Sequence, residues 1–393
     1  MRSFLLLSCG VCLYVLAFAG PLMGASQMRL VVDDDKVECP NAGFTHIQDA
    51  VTAASPGASI RVCKGTYVEQ VTINKPLEIE ADSGAILMPS AMKANAASLL
   101  DAAPLATAIL VTEANGVTIR GLVVDGTNAD IMECTPILFG VIYQDSSGSV
   151  ERVTVRNFRL GVNLSGCQSG SGIFVQSGGG QTSQVTIARS TIHDFQKNGI
   201  TANEVGTHVE INENVVTGIG PTTGAAQNGI QIGFGAGGSI GGNTVTNNVW
   251  SPCTVVSTCH TAATNILVTQ SDGVTVTGNT AGLNNVGIFI DGNQATVSGN
   301  ETFLSLVFDG IRLEGDQALV RTNQVFNGSE SGIFVGGNNN LVERNTITEA
   351  AIGILKKSGA TGNLILSNRV FGAPITVQDP AEAKLAGIIS PLR

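Results

Sequence analysis

The sequence predicts an all-β protein, a single-stranded parallel β-helix closed at its N-terminal end by a short helix. Two repeated motifs predict its coils. One is a valine or isoleucine followed three residues later by asparagine, and the other is usually Gly-Ile, one residue, then a branched aliphatic residue. Both lie in short β-branched runs that alternate in hydrophobicity, as strands do. Because one such unit cannot bury its own apolar face, successive units must stack on one another.

The asparagine motif occurs seven times, and successive asparagines are 21 to 36 residues apart. They are Asn214, Asn243, Asn279, Asn300, Asn323, Asn345 and Asn368. Unrelated surface turns would not keep a constant offset from the preceding aliphatic residue. We therefore expect these asparagines to lie above one another at a tight corner. There each adopts the left-handed conformation and bonds the equivalent amide on the next coil.

The first 25 residues combine one arginine, an apolar run and small residues. This is typical of a secretory signal peptide, with a cleavage site after Ala19 or Ala25. A membrane anchor is the alternative, but the run is short for one. We expect residues 26–393 to form one secreted or periplasmic β-helix domain, without membrane association after cleavage. Residues 26–80 form its N-terminal cap and first strands.

An amphipathic helix is predicted at the start of that domain. Phe44, Ile47, Val51 and Ala54 share one helical face. Thr45 and Gln48 have the spacing of a capping box. We expect this helix to cover the core and strand edges that a β-helix exposes at its end.

Six cysteines follow the signal segment, and an even number in an exported chain indicates disulfides. Pairing sequence neighbours gives Cys39–Cys63, Cys134–Cys167 and Cys253–Cys259, although other connectivities satisfy the same count. Zinc is the alternative, but these six contain no CxxC and no histidine pair lies near them.

Charge restricts the partners. The net charge is −10, and no run of Lys or Arg exceeds two residues. Nucleic acid is therefore not expected as a partner, since its phosphates would be repelled. An acidic polysaccharide would feel the same repulsion unless calcium or a local basic patch intervenes.

The stretch "FTHIQDAVTAASPGASIRVCKGTYVEQVTINKPLEIEA", followed by asparagine-bearing coils, resembles the pectate lyase-like superfamily of right-handed parallel β-helix proteins. It is most similar to secreted repeat proteins of the NosD-like and right-handed β-helix region type. The resemblance implies a right-handed solenoid. It implies no single activity, because the fold hosts lyases, hydrolases, esterases, epimerases and non-catalytic proteins. The catalytic patterns of pectin methylesterases, polygalacturonases, mannuronan epimerases and pectate lyases are absent.

Alternate residues of the Gly-Ile strands should point outward and form columns along the solenoid. This places Asp291 and Glu314 on neighbouring coils with Arg312 beside them. We expect these three residues to be catalytic, in β-elimination or acid/base hydrolysis. The two carboxylates also suit calcium, although no cofactor motif is evident. A solvated cluster of surface ion pairs is the alternative.

Long insertions precede several Gly-Ile strands, and one of them contains Trp250, the only tryptophan. Aligned insertions would wall a groove that binds a polysaccharide, with an aromatic ring suited to stacking on sugars. A structural flap over exposed core is the alternative reading of this insertion. A non-catalytic surface or periplasmic protein is the competing function. The expected substrate-binding residues are Gln176, Asn203, Gln231, Trp250, Thr269 and Phe289.

Overall fold

The computed structural model describes residues 29–259 and 261–372. Their strands form three long parallel sheets, and each complete coil contributes a strand to sheet 1, then sheet 2, then sheet 3. The predicted right-handed parallel β-helix is confirmed. The predicted signal peptide, residues 1–25, lies outside the described residues. No helix within the described part of the chain is both long and apolar enough to cross a bilayer.

Sheet 1 contains thirteen strands: Arg29–Val32, Ala58–Val62, Leu77–Ala81, Val117–Arg120, Ser147–Glu151, Ser183–Ala188, Thr207–Asn212, Gly237–Gly241, Thr275–Thr277, Thr296–Ser298, Leu319–Arg321, Leu341–Glu343 and Leu364–Leu366. Sheet 2 contains twelve: Gly65–Tyr67, Ala85–Leu87, Val123–Asp125, Thr154–Arg156, Thr191–His193, Val215–Thr217, Thr244–Asn248, Thr280–Asn284, Glu301–Ser305, Gln324–Gly328, Thr346–Thr348 and Arg369–Phe371.

Sheet 3 carries the Gly-Ile motif. Its parallel strands are Val71–Ile73, Pro104–Thr112, Ile137–Gln144, Ser171–Gln176, Asn198–Asn203, Asn228–Gly233, Thr264–Thr269, Val286–Ile290, Ile311–Leu313, Ile333–Val335 and Ile354–Lys356. A short strand, Ala96–Ala97, pairs antiparallel with Pro104–Thr112. The described residues also contain one α-helix, Ile47–Ala53, and two 3₁₀ turns, Val162–Leu164 and Val256–Thr258.

The core is built from aliphatic columns inside the solenoid. Val276 pairs with Val297 and Val297 with Val320 on successive coils, and all three are fully buried. Burying a valine side chain contributes about 1.5–3 kcal/mol, so each added coil extends the stabilised column. The alternation seen in the sequence is therefore the inside–outside alternation of the strands.

The seven asparagines form a continuous ladder between sheets 1 and 2. Asn300 is a representative member. Its Nδ2 donates to Val276 O and to Asn323 Oδ1, each at 2.9 Å. Its Oδ1 accepts from the main-chain N of Asn279 at 2.9 Å and from Asn279 Nδ2 at 3.0 Å. The predicted stacking is confirmed from Asn214 to Asn368.

The predicted left-handed conformation of these asparagines is wrong. In every rung the residue just before the asparagine has the positive φ, between 54° and 65°. These residues are Glu213, Gly242, Gly278, Gly299, Thr322, Arg344 and Ser367. The corner therefore turns one residue earlier, which leaves the asparagine side chain directed into the ladder. Glycine occupies three of the seven places, since it adopts this conformation without steric cost.

The N-terminal helix buries the predicted face, but its cap was predicted wrongly. Ile47, Val51 and Ala54 are buried against the first coils. The N-cap residue is His46, and no side chain of its own segment bonds the helix end. Instead, the Glu69 carboxylate accepts from Ile47 N at 2.7 Å and Gln48 N at 2.8 Å. A carboxylate at a helix N-terminus satisfies free N–H groups and interacts favourably with the helix dipole.

The same helix covers the first edge of sheet 3. Gln48 accepts from Thr72 N at 2.7 Å and donates to Thr72 O at 3.3 Å, so its amide takes the place of a neighbouring strand. At the other helix end, Lys75 Nζ donates to Thr52 O and Ala54 O. The exposed main chain of the edge strand is thus partly paired, which protects it from joining another chain.

All three predicted disulfides are present: Cys39–Cys63, Cys134–Cys167 and Cys253–Cys259. The first joins the loop after the first strand to the next coil. The second joins two insertions at the corner between sheets 2 and 3, residues 126–136 and 157–170. The third closes a small ring within a further insertion at the same corner, residues 249–263.

Candidate functional site

The strand register builds the columns that the motif spacing predicts. On the outer face of sheet 3, Gln231 pairs with Leu267, Leu267 with Phe289, Phe289 with Arg312 and Arg312 with Phe334. Asp291 and Glu314 follow the paired residues Ile290 and Leu313, which places them on adjacent coils.

Arg312 is the centre of a buried ion cluster. Its guanidinium donates to Asp309 Oδ2 at 2.7 Å, to Glu314 Oε1 at 3.0 Å and to Glu330 Oε2 at 3.4 Å. The arginine carbon Cζ lies 3.7 Å from the centroid of the Phe334 ring. The Arg312 side chain is fully buried. It therefore orients carboxylates and is not positioned to touch a substrate.

Asp309 and Glu330 complete this cluster, and the sequence reasoning missed both. Burial raises the pKa of Glu330 to about 7, and the negative charge of Asp309 adds to the shift while Arg312 opposes it. Burial also raises the pKa of Asp309, against the opposing effect of Arg312. The position of Asp309 three residues before Arg312 was a possible signal, but the loop around Glu330 has no regular spacing.

Asp291 and Lys357 form the accessible side of the cluster, and the Glu314 side chain beside Lys357 is 9% exposed. Asp291 is exposed, and its Oδ2 accepts from Thr269 Oγ1 at 3.1 Å. Partial burial of its carboxyl group raises the pKa of Asp291, with a further increase from the Glu314 charge. Glu314 Oε2 lies 3.6 Å from Lys357 Nζ, while its Oε1 accepts from Arg312. A carboxyl group with a raised pKa thus lies one coil away from a carboxylate that contacts two cations.

The amides expected to bind substrate are buried within the protein. Gln231 Nε2 donates to Asn203 Oδ1 at 2.9 Å, and Gln231 Oε1 accepts from Asn198 Nδ2 at 3.0 Å. Gln176 Oε1 accepts from Leu99 N at 3.0 Å, so the segment before the long strand Pro104–Thr112 lies over it. All these side chains are fully buried. Their polar groups bond other protein atoms instead of facing solvent, except that Gln176 Nε2 is buried without a hydrogen-bond partner.

Trp250 and Phe289 belong to an apolar cluster under the insertion 249–263. The cluster joins this insertion to sheet 3 and includes Cys253, Cys259, Ala262, Leu267, Val286, Val307 and Phe308. Asn285 Oδ1 accepts from Trp250 N at 2.8 Å and Ala263 N at 3.0 Å, so one buried side chain holds both ends of the insertion. Trp250 Nε1 donates to Gly224 O. This arrangement is the structural flap that the sequence left as the alternative.

A cleft of about 740 Å³ lies among the insertions between sheets 2 and 3, but none of the residues expected to bind substrate lines it. The cleft lies among insertions 126–136, 157–170 and 218–227. Arg159, Asp130 and Gln196 line it beside the exposed side chains of Met132 and Val162. Such a mixture of polar and apolar lining suits a sugar.

A histidine–aspartate pair lies next to the cleft. His193 Nδ1 is 2.7 Å from Asp194 Oδ2, and Asp194 Oδ1 is 3.9 Å from Arg159 Nη1. Neighbouring residues on a strand point to opposite faces, so strand periodicity alone does not predict this contact. The strand ends at His193, and Asp194 has a φ of 55°, which turns its carboxylate back to the ring.

The solved structures that this chain resembles include three that match most of its length. The GH136 lacto-N-biosidase from Eubacterium ramulus is 10% identical with a TM-score of 0.57, over 87% of this chain and 68% of that one. The mannuronan C-5 epimerase A-module from Azotobacter vinelandii is 14% identical at 0.54, over 85% and 92%. The DFA-IIIase from Arthrobacter chlorophenolicus is 14% identical at 0.50, over 91% and 88%. This chain has the right-handed parallel β-helix fold of these proteins.

The family model described as periplasmic copper-binding protein (NosD) matches residues 242–384 of this β-helix protein. No curated protein matches it in sequence. The matched stretch does not fit copper, which favours imidazole, thiolate and thioether ligands. It contains no methionine and one histidine, His260, and its two cysteines are Cys253 and Cys259, which form a disulfide. The match therefore supports the fold and not a copper site.

Proposed function

We propose that this protein binds a neutral polysaccharide outside the cytoplasm and hydrolyses it beside the C-terminal ends of two sheet 3 strands, Val286–Ile290 and Ile311–Leu313. Asp291 acts as general acid and Glu314 as general base or nucleophile. Arg312 positions Glu314, and Lys357 helps to hold it. The observation that carries the proposal is the raised pKa of Asp291 beside a carboxylate paired with Arg312 and Lys357. Two carboxyl groups in different environments are the minimum that glycoside hydrolysis requires.

The charge of the cluster favours hydrolysis over β-elimination. An elimination needs a cation to neutralise the carboxylate of a uronic acid. Arg312 is buried and bonded to Asp309, Glu314 and Glu330. Lys357 is the remaining cation and already pairs with Glu314. An acidic sugar would therefore meet an excess of negative charge, whereas a neutral sugar would not.

Two further observations support an extracellular carbohydrate as the substrate. The similar solved structures carry the names of enzymes that act on carbohydrates, although their low identity speaks directly only for the fold. The three disulfides are of the kind that forms in oxidising compartments, which supports export.

The test is an assay of the full chain against a panel of neutral and acidic polysaccharides, with reducing ends and unsaturated uronic products measured separately. We expect reducing ends from a neutral glycan. D291N and E314Q should each lower kcat by about 10² to 10⁴-fold, as expected for the loss of a general acid or base. The matched control is E301Q, which changes an exposed carboxylate on sheet 2 and should retain activity.

Unchanged turnover by D291N or E314Q would contradict the assigned site. Unsaturated products from an acidic glycan would show elimination instead of hydrolysis. Binding without any product would support the second candidate, a non-catalytic carbohydrate-binding protein. The large cleft between the insertions favours that candidate, and binding should then weaken in R159A.

A further inference from the structure

Three carboxylates meet in the loop that follows the first strand, Arg29–Val32. Asp33, Asp35 and Glu38 each place one ligand oxygen within 4.8 Å of the other two. Lys36, between them, has a φ of 60°, so the chain turns back sharply. Asp34 lies outside this group, because its Oδ2 accepts from Thr66 N at 2.8 Å. The turn therefore brings three carboxylates close together, although their like charges repel one another.

Asp33 gives an independent indication of a ligand. Its side chain is fully buried, and its Oδ2 accepts from Cys39 N at 2.5 Å. Its Oδ1 is also buried but has no hydrogen-bond partner. Leaving a buried carboxylate oxygen unpaired is costly, so natural proteins normally supply a donor or a cation.

No nearby cationic side chain among the described residues pairs with the buried Oδ1 of Asp33. Lys64 Nζ is 3.7 Å from Glu38 Oε1, but the Lys64 side chain is 64% exposed. Among the described residues, no lysine, arginine or histidine lies within ion-pair distance of Asp33 or Asp35. The nearby Cys39 and Cys63 are joined in a disulfide, which removes their thiolates as ligands. The available donors are therefore oxygens alone.

We propose that Asp33, Asp35 and Glu38 bind a calcium ion. Calcium takes six to eight oxygen ligands at about 2.3–2.6 Å, so opposite ligands are up to about 5 Å apart. The spacing of the three carboxylates is within that limit. Magnesium requires oxygens at about 2.0–2.1 Å in a near-ideal octahedron, which would demand a tighter cluster. Water and main-chain carbonyls would complete the calcium shell.

The ion would stabilise the N-terminal end of the solenoid. The loop runs from the edge strand of sheet 1 to Phe44, which bridges Val32, and then to the capping helix. The Cys39–Cys63 disulfide fastens the same loop to the next coil. Because calcium would bind only the folded loop, it should raise the stability of the folded state with the logarithm of its concentration once that exceeds the Kd.

The test is titration of the full, disulfide-intact chain with Ca²⁺ and, separately, Mg²⁺ after chelator treatment, by calorimetry and thermal unfolding. We expect one Ca²⁺ with a Kd of about 10⁻⁴ to 10⁻³ M, typical of extracellular modules, and a rise in Tm. D35N and E38Q change exposed side chains and should weaken binding by about tenfold or more. K64Q removes a competing cation and should tighten binding.

The control is D49N, which removes an exposed negative charge from the capping helix and should leave the Kd unchanged. The proposal would be overturned if the unaltered chain showed neither binding heat nor a Tm rise at about 10 mM Ca²⁺. Equal affinities in D35N, E38Q and the unaltered chain would also overturn it. Mg²⁺ binding as tight as Ca²⁺ binding would overturn the assignment to calcium. None of these outcomes depends on hydrolytic activity.

Discussion

The Arg312 cluster contains one buried cation and three carboxylates. Removing charges from water is costly, and the arginine repays this only in part. The raised pKa values of Asp309 and Glu330 follow from that imbalance. In physical terms, the cluster is destabilising when all its carboxyl groups are charged and less so when one retains a proton.

The pH dependence of stability should therefore have a defined sign. Glu330 has a pKa of about 7 in the folded protein against an ordinary value of 4.5. The folded state binds this proton more tightly than the unfolded chain. The stability gained from it is complete below pH 4.5 and is lost as the pH rises through 7. E330Q should remove a loss of about 3 kcal/mol, measured by urea unfolding between pH 4.5 and 8.

The exposed-site variant E301Q is the control, and its stability should follow the unaltered protein at each pH. Asp309 contributes with the same sign and remains in E330Q, so some slope should persist. Parallel curves for E330Q and the unaltered chain would show that Glu330 titrates normally.

The sequence predicts which column each outward residue of sheet 3 belongs to, but not whether that residue is buried. The repeat placed Asp291, Arg312 and Glu314 in their correct columns, because side-chain direction follows strand periodicity. It did not predict that Gln176, Asn203, Gln231 and Phe289 are buried. Their burial depends on non-periodic segments that lie over the outer face, and no pattern in the strands specifies the path of those segments.

At the scale of single elements, the capping helix shows how a distant residue replaces a local motif. The capping-box spacing of Thr45 and Gln48 predicted a self-contained helix start. Instead Thr45 Oγ1 contacts His46 Nδ1, and Gln48 pairs with the edge strand. Glu69, more than twenty positions later, supplies the cap. A local motif could not reveal this, because stacking of the first coils brings Glu69 to the helix.

E69A should therefore destabilise the N-terminal cap, whereas T45A should not. Losing two charge-assisted bonds to the helix amides should cost about 1–2 kcal/mol. Hydrogen exchange at Ile47 and Gln48 should accelerate in E69A, with a matching loss in unfolding free energy. T45A should stay within about 0.5 kcal/mol. A larger loss of unfolding free energy in T45A than in E69A would show that the predicted capping box forms after all.

At the scale of the whole molecule, the solenoid is a chain of similar units that contact only their neighbours. Its regular features could be predicted from the sequence because each recurs many times. The asparagine ladder and the strand columns are of this kind. The disulfides were predicted differently, by pairing cysteines that are neighbours in the sequence. A contact that occurs once and has no regular spacing, such as that of Glu330 with Arg312, could not be predicted.

The loss of unfolding free energy on replacing a ladder asparagine by alanine should depend on the position of that asparagine in the ladder. N300A would leave Val276 O and the amide of Asn279 without buried partners, and should cost about 3 kcal/mol. Asn368 ends the described ladder and is only half-buried, so water can replace its bonds in N368A at about 1 kcal/mol. Urea unfolding of both variants measures the difference. Equal losses of unfolding free energy in N300A and N368A would mean that burial within the ladder does not set the contribution of each asparagine.

The corner between sheets 2 and 3 admits insertions of very different length while the strands on either side keep their pairing. Connections there range from the single residue Asn285 to the sixteen positions 88–103, which include the short strand Ala96–Ala97. Selection can therefore remodel the molecule's outer contours without disturbing the register of its interior. A lineage of such proteins would be free to diverge in what it recognises while inheriting one unaltered scaffold.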